Sequence, residues 1–235
     1  MSSDLKGYGR STDKKQEFLQ AGFVAIHRQA AEVAGLRRDE WVIQEGGDGE
    51  LAVLPATESE PAVVDAYMRA LARALRERNE GVPAADRLRL RIAVAFGTAY
   101  PASNGFAGQA VVEASRLVSS GTIKRILEDQ EKVNLLLILS QRVFDDLVRQ
   151  EHTSYRPDDF VNIHVHEKEY EGSAWVWTPD VDISVLRSYV GHRRDDAPAG
   201  HGPAQTVTYS QRAKNINNFT GSLDARGSVF GVSEK

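Results

Sequence analysis

Apolar residues recur at intervals of three and four between Lys14 and Ala34, at Phe18, Leu19, Gly22, Phe23, Ile26, Ala30 and Val33. This spacing places them on one stripe and predicts an amphipathic helix. Trp41 to Gln44 and Leu51 to Leu54 then read as two strands. They are joined by Glu45-Gly-Gly-Asp-Gly49, whose glycines suit a turn with positive φ, so a hairpin with Asp48 at its tip is expected. Pro55 and Pro61 bracket a loop, and Val64, Tyr67, Met68, Leu71 and Leu75 give a second helix across 63–77. From Leu88 to Gly97 the chain begins with strict alternation and turns apolar, as a strand does on passing from an edge into a core.

A glycine-containing loop follows, then a helix from about Gln109 to Val118 and a short one from about Thr122 to Glu128. Val133 to Ser140 reads as a buried strand, although only its length and a single β-branched pair set it against a helix. Gln141 to Gln150 reads as a helix with Val143, Phe144, Leu147 and Val148 inward, and Phe160 to His166 pairs with Ala174 to Trp177 as a final hairpin. With a first strand around Asp4, the order is strand, helix, hairpin, helix, strand. That is the order of an α+β domain of the split βαβ, ferredoxin-like kind, expected to carry its helices on one face of the sheet. Only Met1, Ser2 and Ser3 precede Asp4. The first strand is therefore expected to be a stub with Asp4 near a frayed end, unless the true start lies upstream.

Composition narrows the class. The chain has 235 residues, 41% hydrophobic and 26% charged, which fits a globular domain with length left for a tail. Net charge is −4, and lysines and arginines are scattered, which argues against a nucleic-acid binder. The absence of cysteine excludes disulfides and thiolate metal sites. No apolar run approaches the ~20 residues of a membrane span, and the start lacks the basic-then-apolar pattern of a secretory signal, so a cytoplasmic protein without a membrane partner is expected. Residues 1–185 are expected to form the domain and 186–205, rich in Pro, Gly, Ala and charge, a flexible linker. In 206–235, Asn, Gly and Ser alternate with Val, Ile, Phe and Leu, a low-complexity texture suited to self-pairing or to a disordered tail.

Asp4-Leu-Lys-Gly-Tyr8 and Gly47-Asp48-Gly49 carry the candidate chemistry. The expected topology lays the first strand beside the hairpin, so Asp4 and Asp48 converge at one sheet edge. Paired carboxylates suit hard divalent cations, which can clamp the attacking and leaving oxygens of a phosphoryl displacement. Backbone N–H groups around Gly7 and Gly9 suit phosphate oxygens. His164, His166 and Glu167 lack a third ligand and read as a strand end, whereas Trp175 and Trp177 share one face and read as core or interface packing. No P-loop or dinucleotide fingerprint is present.

Asp-x-x-Gly-Tyr, a helix, the Gly-Asp-Gly tip, a helix, the Leu-Arg-Ile-Ala strand and Gly108-x-x-Val-x-x-Ala-x-Arg116-Leu, in that order, resemble the catalytic domain of class III adenylate and guanylate cyclases over about Asp4 to Trp177. The resemblance implies a homodimeric enzyme that forms a 3′,5′-cyclic nucleotide from a nucleoside triphosphate with Mg2+ or Mn2+, in signal transduction. It makes Asp4 and Asp48 the metal ligands, Arg116 the transition-state arginine and Lys168 the late phosphate-binding lysine. The Gly7, Tyr8 and Gly9 turn would face substrate. Three positions depart from the family. Val112 stands where an asparagine orients the ribose, and Gln44 and Gly105 stand at the two base-reading positions, which points away from adenine and guanine. The departures leave open a catalytically degenerate module that dimerises and presents its tail. Asn215-Ile-Asn-Asn-Phe-Thr-Gly-Ser-Leu with Gly227-Ser-Val-Phe-Gly231 resembles C-terminal amyloid-signalling motifs of bacterial defence proteins, as found in filamentous actinobacteria, and implies a motif-matched signalling partner.

Overall fold

The computed structural model describes residues 1–190; the expected tail, and the linker from residue 191 on, lie outside the described residues. Strand β1 (Ser2–Leu5) leads through a turn into α1 (Asp13–Ala34), which ends where Gly35 adopts φ 68° and returns its N–H to Ala31 and Glu32. The hairpin of β2 (Val42–Glu45) and β3 (Gly49–Val53) follows. Then α2 (Glu60–Ala62) passes through a π-helical turn, Val63–Tyr67, into α3 (Met68–Asn79). After β4 (Leu90–Val94) comes a small separate hairpin, β5 (Tyr100–Ala102) and β6 (Gly105–Ala107), where the sequence suggested only a loop. The remaining elements are α4 (Gln109–Ser119), α5 (Gly121–Asp129), β7 (Leu135–Ser140) and α6 (Gln141–Val143), the last continuing as a π turn, Phe144–Val148. The described residues end with β8 (Val161–Glu167), β9 (Tyr170–Trp177) and α7 (Ile183–Arg187).

Seven strands form one sheet in the order β2-β3-β1-β4-β7-β9-β8, antiparallel except where β4 pairs with β7. The α+β reading holds, but helices cover both faces rather than one. Leu90, Ile92 and Val94 of β4 and Leu135, Leu137 and Leu139 of β7 pack with Phe23 and Ile26 of α1 and Leu71 and Leu75 of α3. The alternate residues Ala93, Leu136 and Ile138 pack with Leu117 of α4, Ile126 of α5 and Leu186 of α7. Side chains of a strand point alternately to the two faces, so the unbroken apolar run Leu135–Leu139 requires a core on each.

The buried stripe of α1 also differs from the expected one. Leu19, Gly22, Phe23, Ile26 and Ala30 are inside, joined by His27 and Ala31, while Phe18 and Val33 are 58% and 65% exposed. Phe18 lies one residue, about 100°, off Leu19 and carries the Arg78 guanidinium 4.6 Å from its ring. Trp175 and Trp177 are packing residues: Trp175 stacks on Phe144 at 3.7 Å, and Trp177 meets Tyr155 edge-on at 4.9 Å.

Candidate functional site

The short first strand is not frayed. β1 lies at the interior of the sheet between β3 and β4, with Asp4 opposite Gly49 on one side and Arg91 on the other. The Leu5 N–H donates to the Asp48 carbonyl at 2.6 Å, which fixes the hairpin tip beside the strand. Gly46, Gly47 and Gly49 do not adopt the positive φ expected of them. Gly49 is needed for space: a Cβ there would stand 3.0 Å from Asp4 Cα and closer still to the Ser3 carbonyl. Gln20 Nε2, within 2.8 Å of both Tyr8 Oη and the Gly47 carbonyl, donates to each and ties the β1–α1 turn to the hairpin.

Burial, together with the neighbouring Asp48 carboxylate, pushes the Asp4 carboxyl up to about 6, against the pull of Arg91 and Lys124. The Arg91 guanidinium is ion-paired with Asp4. The contact is not an aligned hydrogen bond, since Asp4 Oδ2 and Arg91 Nε, both buried, lack hydrogen-bond partners among the described residues. Two close carboxylates, one of them raised to about 6 by burial and by its neighbour, fit a divalent cation. No cluster of three or more His, Cys, Asp or Glu side chains suited to a metal occurs among the described residues. A metal at Asp4 and Asp48 would therefore draw its other ligands from backbone, water or phosphate, the habit of Mg2+ rather than of a closed protein cage. His164 is exposed and pairs with Glu171 at 3.2 Å.

The other sequence-derived positions fall into separate places. Gln44, on β2, meets Gly105, on β6: a Cβ on Gly105, whose φ is 94°, would stand 2.7 Å from Gln44 Cδ. Val112 is 37% exposed on α4. One turn later Arg116 donates to Glu169 Oε1 at 2.6 Å, beside Lys168, which takes φ 56° in the β8–β9 turn. The salt-bridge partner of Arg116 is thus Glu169, whose carboxyl it holds below the usual range, and not Asp4 or Asp48.

Asp48 stands where two open cavities meet. One, of about 430 Å³, is bordered by Asp4, Gln44, Phe106 and Ser115. The other, of about 580 Å³, is bordered by Lys6, the Gly7-Tyr8-Gly9 turn, Arg10, Arg91 and Lys124. Sequence reasoning did not single out Lys6, Arg10, Arg91 or Lys124. Arg91 lies inside the Leu-Arg-Ile-Ala motif, where alternation marks it as polar, but Lys124 sits on a helix that carries no motif.

No protein-family model matches the sequence, and no curated protein does. Among solved structures, the chain is similar to an adenylate/guanylate cyclase/hydrolase from Silicibacter pomeroyi, at 20% identity and a TM-score of 0.53, over 76% of this chain and 94% of that one. Alignments also run to the guanylyl cyclase Cya2, at 17% identity and a TM-score of 0.46 over 75% of this chain and 88% of that one. The guanylate cyclase domain of RhGC from Catenaria anguillulae, in complex with GTP, aligns at 14% identity and a TM-score of 0.43 over 77% and 94%. The first likeness shows the fold: residues 1–190 have the architecture of an adenylate/guanylate cyclase domain, as the sequence motifs implied. Among the described residues no helix is long and apolar enough to cross a membrane.

Proposed function

We propose that the chain is a divalent-metal-dependent nucleotidyl cyclase of cytoplasmic bacterial signalling or defence, which forms a 3′,5′-cyclic nucleotide from a nucleoside triphosphate as a homodimer. One observation carries the reading: Asp4 and Asp48 stand side by side, with the Asp4 carboxyl pushed up to about 6, and Asp48 borders a cavity rich in cations. Asp4 and Asp48 would hold Mg2+ or Mn2+, which when bound supplies charge stabilisation at the transferred phosphoryl group. Asp4 in its ionised form and Asp48 would be the protein's ligands to that cation, and Arg91, which pairs with Asp4 and borders the cavity, suits a phosphate. The Gly7, Tyr8 and Gly9 turn, with Gly7 at φ 78°, borders the cavity and suits phosphate oxygens.

Each chain presents two incomplete halves. The aspartates and the glycine turn form one, with Gln44 bordering the same cavity as the aspartates; Arg116 with Lys168 belongs to the other. A second copy would bring its Arg116 to the first copy's aspartates, where a guanidinium suits the charge that develops on the α-phosphate. The 3′-hydroxyl would lose its proton to solvent and its oxygen bond to the α-phosphorus, as the bond to the bridging oxygen breaks and pyrophosphate leaves with that electron pair. Gln44 both donates and accepts, and Gly105 leaves room for its amide, which favours a pyrimidine over the usual purines. Incubating purified protein with each of the four common NTPs and Mn2+ tests the proposal. A cyclic nucleotide, lost in Asp48→Asn, is expected; no cyclic product from any NTP would overturn it.

One observation favours a second reading, a degenerate dimerisation module that presents its tail. Val112, exposed at the ribose-orienting position, offers no hydrogen bond. Under that reading the protein dimerises and binds nucleotide without turnover.

A further inference from the structure

Asp48 is carried on a tip that is intrinsically loose. Gly46, Gly47 and Asp48 are all exposed, and two of the three are glycines, which lose the most backbone freedom when ordered. Within the sheet the tip is held at its two ends: the Gly46 N–H donates to the Gly49 carbonyl at 2.8 Å, and the Leu5 N–H donates to the Asp48 carbonyl at 2.6 Å. The Gly47 carbonyl, between them, is held from outside the sheet. Gln20 Nε2, on α1, donates to it at 2.8 Å.

Gln20 can act as a ruler because α1 is anchored on its other side. Leu19, Phe23 and Ile26 are buried in the core, while Gln16 and Gln20, one turn apart, face the β1–α1 turn. Gln16 Nε2 lies 3.3 Å from the carbonyls of Tyr8 and Ser11, and Ser11 Oγ donates to the Gly7 carbonyl at 3.1 Å. The other donor bond of Gln20 Nε2 goes to Tyr8 Oη at 2.8 Å. The Tyr8 ring itself comes up against the hairpin, since a Cβ on Gly47 would stand 3.6 Å from Tyr8 Cε1. A primary amide has two N–H donors. Both are committed here, one to the turn that follows Asp4 and one to the tip that carries Asp48. A side chain without donors cannot make either bond.

We infer that Gln20 is a positioning residue for the divalent-cation site, holding Gly47, and with it the adjoining Asp48, at a fixed reach from Asp4. The inference rests on Asp4 and Asp48 as the metal ligands and does not require turnover. Ligands already in place bind a cation without first having to be ordered, whereas a tip released from Gln20 must be ordered by the cation itself. The effect therefore falls on metal affinity rather than on folding, because Gln20 is exposed and methionine forms helix about as readily as glutamine.

The test is calorimetric titration of the full chain with Mn2+, run well below the melting temperature of each protein, for wild type, Gln20→Met, Tyr8→Phe and Asp48→Asn. Gln20→Met keeps the length of the side chain and removes both donors. Wild type should bind Mn2+, and Asp48→Asn should lose the binding. Gln20→Met should bind about fivefold more weakly while its thermal melt matches wild type. Should Gln20→Met melt early, Tyr8→Phe decides: it keeps the ring, removes one of the two acceptors and should weaken Mn2+ binding about twofold. In turnover, Gln20→Met should raise the Mn2+ concentration for half-maximal rate by about the same fivefold factor, and change the rate at saturating Mn2+ by less. Equal Mn2+ affinity in wild type and these two variants, no Mn2+ binding by wild type, or binding that survives Asp48→Asn would overturn the inference. A wild type that binds Mn2+ in this Gln20-dependent way yet yields no cyclic nucleotide would sink only the cyclase reading. A wild type that cyclises, with Gln20→Met binding Mn2+ as tightly, would sink only this one.

Discussion

A methyl group on Gly49 would run into the Ser3 carbonyl, so the closeness of β3 to β1 depends on a side chain that is missing. Gly49→Ala should cost about 3 kcal/mol in urea unfolding, as overpacked positions do, and should separate Asp48 from Asp4. An unchanged midpoint would contradict this account of the glycine. Asp4 makes a second prediction. Its folded carboxyl titrates near 6 against 3.8 when free, so between those values the folded state keeps a proton that the unfolded state releases. Stability from this group therefore falls as pH rises through that window and stays low above it. Asp4→Asn, which cannot ionise, should gain on the wild type by about 1–2 kcal/mol between pH 4 and pH 7.5, after allowance for screening. A melting-temperature difference that is flat or shrinks over that range would refute the assignment. Asp4 and Asp48 were legible because short motifs in a fixed order mark them. Lys124 was not, because only the packing of α5 turns it toward the cavity.

At the scale of elements, α1 and α3 are joined by a polar contact inside an apolar layer. His27, fully buried, has its Nδ1 2.5 Å from Tyr67 Oη, and its ring lies 4.4 Å from Phe23. Burial, with Arg38 nearby, holds the imidazole well below 6.5, so it stays neutral when folded. The unfolded chain takes up the proton below pH 6.5, and stability is lost as pH falls beneath that value. His27→Phe should gain about 2 kcal/mol on the wild type between pH 7.5 and pH 5; parallel pH profiles would contradict a neutral buried histidine. Periodicity located α1, the β2–β3 hairpin, α4 and β7 within a few residues. It gave no sign of β5 and β6, whose three-residue strands are too short to show alternation. It also gave no sign of the π turns Val63–Tyr67 and Phe144–Val148, which shift helical register without altering composition. The run Leu135–Leu139 marked a buried strand, but the motif order led to helices on one face, where the structure has them on both.

For the whole molecule, the arrangement of site residues matters more than any one of them. Asp4 and Asp48 belong to the sheet interior and the hairpin tip, whereas Arg116 is engaged by Glu169 at the far turn of β8 and β9. Under the proposed function a single chain holds the parts of a catalytic centre without assembling them. Two copies related by a two-fold axis would exchange halves and complete two centres, because the same patch would serve on both sides of such an interface. Activity per chain should accordingly rise with protein concentration until dimers saturate, and a constant specific activity across the dissociation range would count against a shared site. The most direct test mixes two inactive proteins, Asp4→Asn and Arg116→Ala, under conditions that allow subunits to exchange, and measures cyclic nucleotide formed from the preferred NTP with Mn2+. Mixed dimers contain one centre with both aspartates and the arginine intact, so activity should reappear at about a quarter of the wild-type level, from statistical pairing. If each protein is inactive alone and the mixture stays inactive although mixed dimers form, the aspartates and Arg116 do not act across the dimer, and the proposed arrangement is wrong.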